Sequence, residues 1–190
     1  MQNTMKKLLP LLLLLVCVQL AFAQQDEYVK PGQVIEKGKA PAMKYKLLST
    51  NGTTKTYIVV LYRGDDILSG MTDFATKENI QFAQFNGVGA ISSGRLGSYD
   101  RDKQMYHIYT LKQQAEIVSF VGNIGIYNGK QVVHVHMSVS QSDFTVRGGH
   151  LFNGIVWPTL EIMVTTSPTA VYKAKEDDTG FVLTDPELTH

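Results

Sequence analysis

The run Val133-His134-Val135-His136-Met137-Ser138-Val139 alternates without a break, apolar residues at every other place and polar ones between. An extended strand sends successive side chains to opposite faces, whereas a helix would scatter this pattern around its circumference. One face of the segment is therefore built for burial, and the other carries two imidazoles and a hydroxyl. Neighbouring segments follow the same logic. Tyr57-Ile58-Val59-Val60-Leu61 is β-branched and aromatic, Met105 to Leu111 alternates, and Glu116 to Ile124 and Trp157 to Thr166 read as further strands. A strand-rich stretch also runs from Gln81 through Gly87, Gly89 and Ala90 to Tyr99, its glycines marking bulges or close backbone approach.

The punctuation agrees. Asn51-Gly52 and Asn128-Gly129 each predict a tight hairpin of the type I′ form, which needs positive φ at both central residues. One segment departs from the strand pattern. Asp65 or Asp66 is placed to cap a helix in which Ile67, Met71, Phe74 and Ala75 recur at helical spacing, predicting a helix from Asp66 to Glu78. One helix among many strands, without regular β-α-β alternation, predicts an α+β domain with a largely antiparallel sheet.

The N-terminus reads as an address. Lys6 and Lys7 precede the apolar run Leu11 to Val18, and Ala21-Phe22-Ala23 follows before Gln24. Basic start, short apolar centre and an A-x-A site predict a secretory signal peptide over residues 1–23, removed after Ala23. Pro10 and Gln19 interrupt the stretch, and a membrane span needs roughly 20 predominantly apolar residues, so no span is expected after cleavage. Cys17 is a poor lipoprotein site, because Val16 stands where a small residue is wanted. The expected location is periplasmic or secreted. Cleavage would leave residues 24–190 without a cysteine and would remove two of the 18 basic residues, which face 17 acidic ones. Thiolate chemistry is excluded for that form, and nucleic-acid modules normally carry a clear basic excess that is missing here. The divisions expected downstream are a polar leader over 24–41, a domain over 42–173 and an acidic, solvated tail over 174–190 containing Glu176, Asp177 and Asp178.

The candidate chemistry lies with the histidines. His134 and His136 share a strand face roughly 6.5–7 Å apart, near enough for both rings to turn toward one cation. His150 follows Gly148-Gly149, where a backbone lacking Cβ can bend against a neighbouring strand. Three neutral histidines with a position left for water is an arrangement used for zinc, and other divalent metals also accept imidazole. An H-x-H pair by itself also fits hydrogen-bonded surface histidines. Glu116, Asp143 and Glu161 are candidate bases that spacing cannot bring to the histidines, and His107 reads as a packed strand residue. Gly87-Val88-Gly89 lacks the third glycine and the helix of a dinucleotide fold, and Ser92-Ser93-Gly94 lacks the flanks of a nucleophile elbow.

Taken in order, Gly87-Val88-Gly89-Ala90-Ile91, Gly97-Ser98-Tyr99-Asp100, Glu116 to Ile124, His134-Val135-His136-Met137 and Gly148-Gly149-His150-Leu151 resemble the PPC domain, the "plants and prokaryotes conserved" family, also called PCC. The resemblance extends over roughly Lys44 to Lys173. It implies an antiparallel sheet packed on a central helix, a homotrimer and, as in some bacterial and archaeal members, zinc held by histidines that correspond here to His134, His136 and His150. Plant members join this domain to basic AT-hooks and act on DNA. No Arg-Gly-Arg-Pro segment occurs here, and Gln113-Gln114-Ala115 stands where the plant motif has Gly-Arg-Phe. Four functions remain open: a metal-holding trimer; a metal-dependent enzyme on a small molecule; a DNA-binding module, disfavoured by export and net charge; and a trimer that binds a small-molecule ligand or serves as a scaffold, its histidines holding no metal.

Overall fold

The structure is a computed structural model that describes residues 26–33 and 38–189. The signal segment at 1–23 lies outside the described residues. In chain order the elements are β1 (Glu27–Val29), β2 (Lys44–Asn51), β3 (Thr54–Tyr62), α1 (Ile67–Lys77), β4 (Phe82–Asp100), β5 (Met105–Leu111), β6 (Ala115–Tyr127), β7 (Lys130–Ser140), β8 (Val146–Ser167), β9 (Tyr172–Lys175) and β10 (Val182–Asp185).

The hairpins form as their turn residues demand, with one adjustment. Tyr127 pairs with Lys130, leaving Asn128 and Gly129 as the two loop residues, at φ 50° and 71°. That is the expected type I′ turn. In the first hairpin Asn51 pairs with Thr54, so the loop residues are Gly52 and Thr53, and only Gly52 has positive φ, at 59°. This is the type II′ pattern, with glycine at the first central position. The pairing shifted by one residue because Asn51 stays in the ladder.

Helix α1 begins where Asp66 caps it, its Oδ1 accepting from the Ser69 N–H at 2.8 Å. Asp65 is fully buried and ties down the approach to the helix: its two carboxylate oxygens accept from the backbone N–H groups of Ala42 and Tyr62, each at 3.0 Å. Ile67, Met71, Phe74 and Ala75 form the buried stripe that periodicity indicated. Each large side chain fully buried this way contributes roughly 1.5–3 kcal/mol. The stripe packs against β7 and β8, joining Val135, Met137, Val139, Val156 and Leu160 in the core.

The sheet runs β1-β5-β4-β6-β7-β8-β3-β2, and β4 also pairs with β8 along most of its length. The path β4-β6-β7-β8 therefore returns to β4, and the sheet closes on itself. Every pairing is antiparallel except a single parallel contact between β6 and β9. The result is a mostly antiparallel sheet and, among the described residues, one short helix. Three features depart from the sequence reading. Strand β8 starts at Val146, well before Trp157. Glu27–Val29, within the stretch read as a patternless leader, pairs with β5. The stretch read as a solvated tail carries β10, which pairs with β9.

Candidate metal centre

Strand β7 distributes its side chains as the alternation requires. Val135, Met137 and Val139 are buried in the core, and His134 and His136 emerge on the other face. His150 lies on β8 directly opposite His136 in the ladder. Its position depends on the glycines before it. A Cβ on Gly149 would sit 2.4 Å from the Gly97 carbonyl oxygen, and one on Gly148 would sit 2.9 Å from the Ser138 Cβ. Backbone contact that close needs glycine, and through it β8 lies tightly against both β4 and β7.

The three rings converge. Their centroids are 5.2 Å apart for His134 and His136, 5.1 Å for His134 and His150, and 5.6 Å for His136 and His150. One ligating nitrogen from each lies within 4.8 Å of the others, close enough for a single cation to be shared. His150 Nδ1 is buried without a hydrogen-bond partner among the described residues. A buried polar atom left unpaired costs about 1–3 kcal/mol, and a metal bond to that nitrogen would remove the cost. The donor set and the orphaned nitrogen both fit a divalent ion.

The electrostatics point the same way. Burial pushes the His150 pKa from 6.5 down to about 4, with a further contribution from His134 and His136. His134 is also lowered, first by burial, then by the charges of Lys173 and His136. Metal ligation needs the unprotonated ring, and burial favours that form at His150 and His134.

An aromatic wall supports the cluster. Tyr106 stacks on His150 with centroids 5.3 Å apart, and Phe152 meets both rings edge-on at 5.1 Å. Phe181, from the segment between β9 and β10, meets the edges of Tyr99 and Tyr106. A cavity of about 680 Å³ opens beside the histidines, with Asn153, Lys173 and Leu183 also on its walls. Sequence spacing gave no sign of Tyr106, Phe152, Lys173 or Phe181 at this site.

The other candidates fall elsewhere. Glu116, Asp143 and Glu161 are exposed and outside the cavity; Asp143 accepts hydrogen bonds from Thr145 in its own turn. Among the described residues lining the cavity the one carboxylate is Asp66, already engaged as the cap of α1. His107, on β5, stands apart from the cluster and is packed on one side only. It is half-exposed, stacks on Tyr28 with centroids 5.0 Å apart and contacts Asp26 at 3.1 Å.

Residues 48–168 match the Plants and Prokaryotes Conserved (PCC) domain. The chain belongs to the PCC family. Solved structures agree. A Bacteroides thetaiotaomicron protein proposed to bind DNA is 27% identical, with a TM-score of 0.70 over 77% of this chain and 99% of that one. A metal-containing protein of Archaeoglobus fulgidus is 26% identical, with a TM-score of 0.64 over 75% of this chain and 97% of its own. A plant- and prokaryote-conserved protein of Pyrococcus horikoshii is 28% identical, with a TM-score of 0.65 over 74% and 99%. No curated protein matches the chain. The PCC match ends before Lys173 and Phe181, so part of the cavity wall lies beyond the matched domain.

Proposed function

We propose that this PCC protein is exported, assembles as a homotrimer and holds a divalent metal, zinc foremost, through His134, His136 and His150. The observation that carries the reading is the convergence of three imidazoles from two antiparallel strands, one of them with an orphaned buried nitrogen. A metal-containing relative with the same fold supports it. When bound there, the ion would supply a Lewis acid at the head of the cavity. The protein's own residues do the positioning. Val135 and Met137 anchor β7 in the core, so the face on which His134 and His136 stand is fixed by packing. Tyr106 braces the His150 ring, and partial burial keeps both His134 and His150 neutral.

The trimer is supported by exposed apolar side chains on the outer face. Met163, Asn86 and Val121 are consecutive partners across β8, β4 and β6, and His136 is the next partner on β7. Val121 and Met163 are exposed, as is Val88, two residues along β4, at 67%. Burial of these side chains between copies would remove them from water. Export rests on the signal pattern, and no helix among the described residues is long and apolar enough to cross a membrane. The DNA binding proposed for the Bacteroides protein draws little support from a chain with 18 basic and 17 acidic residues. Metal analysis of the purified protein tests the centre. One ion per chain, lost in His134→Ala, is expected; a metal-free protein after mild purification, or unchanged content in the variant, overturns it. Light scattering should return three times the chain mass, and N-terminal sequencing of exported protein should begin at Gln24.

A further inference from the structure

Lys173 introduces a positive charge beside the histidines, and no carboxylate among the described residues pairs with it. Its side chain is deeply buried on β9, the residue only 5% exposed. The ammonium donates to Asn123 Oδ1 and Thr184 Oγ1, each at 3.2 Å. Both acceptors are neutral, and none of the ion pairs among the described residues involves Lys173. An ammonium has three donors, so one remains while Lys173 lines the cavity.

The position is built. Gly125 lies under the lysine stem, and a Cβ there would sit 3.1 Å from Lys173 Cε. Burying an ammonium without a counter-charge is costly, and proteins that do so normally pair it. The same cavity has apolar and aromatic walls: Tyr106, Phe152, Phe181 and Leu183. Asn153 Oδ1, also on the wall, is buried without a partner among the described residues. Among the described residues no arginine lines the cavity, and the one carboxylate, Asp66, is committed to the helix cap. A volume of about 680 Å³ lies within the roughly 300–1,000 Å³ typical of small-molecule sites.

The geometry points to a binding site for a small aromatic carboxylic acid, its carboxylate held by Lys173 and its ring against Tyr106, Phe181 and Leu183. A lone ammonium without guanidinium groups suits a single negative charge better than a phosphate dianion. Lys173, Phe181 and Leu183 all lie beyond residues 48–168, so this specificity belongs to the segment that follows the PCC match. The other end of the chain joins the same wall through Pro31, Gly32 and Gln33. The turns at Gly32 and Gly180 meet, a Cβ on Gly32 falling 3.6 Å from the Gly180 carbonyl oxygen.

Titration calorimetry with benzoate, benzamide and phenyl phosphate tests the site, with chelator present so that the outcome is independent of the metal. Benzoate should bind at least about tenfold more tightly than neutral benzamide or phenyl phosphate, and Lys173→Met should weaken it by about tenfold or more. Leu183→Glu, which puts a competing carboxylate at an exposed rim position, should weaken benzoate more than Leu183→Gln does. That pair decides the matter if Lys173→Met does not fold. Equal binding of benzoate and benzamide, tighter binding of phenyl phosphate, or indifference to both Lys173→Met and Leu183→Glu would overturn the proposal. Because metal content is measured separately, loss of the histidine centre and loss of the acid site are told apart.

Discussion

The depressed pKa of His150 makes folding of the metal-free protein dependent on pH in a way that can be calculated. In the unfolded chain this ring titrates near 6.5, and in the folded chain at about 4. The unfolded state therefore binds the extra proton between those values, and stability is lost as pH falls through that window. Above 6.5 the contribution is fully present and flat. Lowering the pH from about 7.5 to about 5.0 protonates the unfolded ring almost completely and the folded ring hardly at all, which costs about 2 kcal/mol. With a typical urea dependence of about 2 kcal/mol per molar, the unfolding midpoint should move down by about 1 M from this residue alone. His134, lowered for the same first cause, adds to the loss in the same direction. Urea unfolding with chelator present, comparing wild type with His150→Gln, isolates the term, since carboxylate titrations elsewhere are common to both. The variant should lose about 2 kcal/mol less between the two pH values. An identical pH dependence in both proteins would refute the claim that burial keeps this imidazole neutral.

Three further outcomes follow from the same geometry. Gly149→Ala should cost about 1–3 kcal/mol and lower the melting temperature by roughly 3–9 °C, because its Cβ meets fixed backbone at 2.4 Å; Gly154→Ala, which meets the flexible end of Ile67 at 2.9 Å, should cost less, and the reverse order would contradict the close-approach argument. Zinc at about a hundred times its dissociation constant should stabilise wild type by about 2.7 kcal/mol in thermal melts, and His136→Ala should abolish that gain. Asp65→Ala removes an acceptor from two backbone N–H groups and should destabilise by about 2–4 kcal/mol in denaturant unfolding, with metal content of the folded fraction unchanged.

The strands and the helix were legible because their signals are local. Alternation fixed which face of β7 holds His134 and His136, and Asp66 with its buried stripe marked α1 to within a residue at each end. The pairing of His150 with His136 was less accessible. Val146, Arg147 and Gly148 are exposed, and they offer no alternation to mark the start of β8, so register had to come from the contacts of Gly148 and Gly149 with other strands. Lys173 was illegible for a different reason. A lysine ahead of Glu176, Asp177 and Asp178 reads as a solvated charge, and only Gly125, Asn123 and Thr184, scattered through the chain, reveal that it is enclosed. The same holds for Phe181, whose aromatic partners lie on β4 and β5.

The meeting of Gly32 with Gly180 ties together the two stretches that flank the shared domain, on the side where the histidines open. Kinship is measured on the matched residues, while the proposed acid pocket draws Lys173, Phe181 and Leu183 from beyond them. Two members with superimposable sheets can therefore admit different molecules. A role learned for one travels to another only as far as its flanks do.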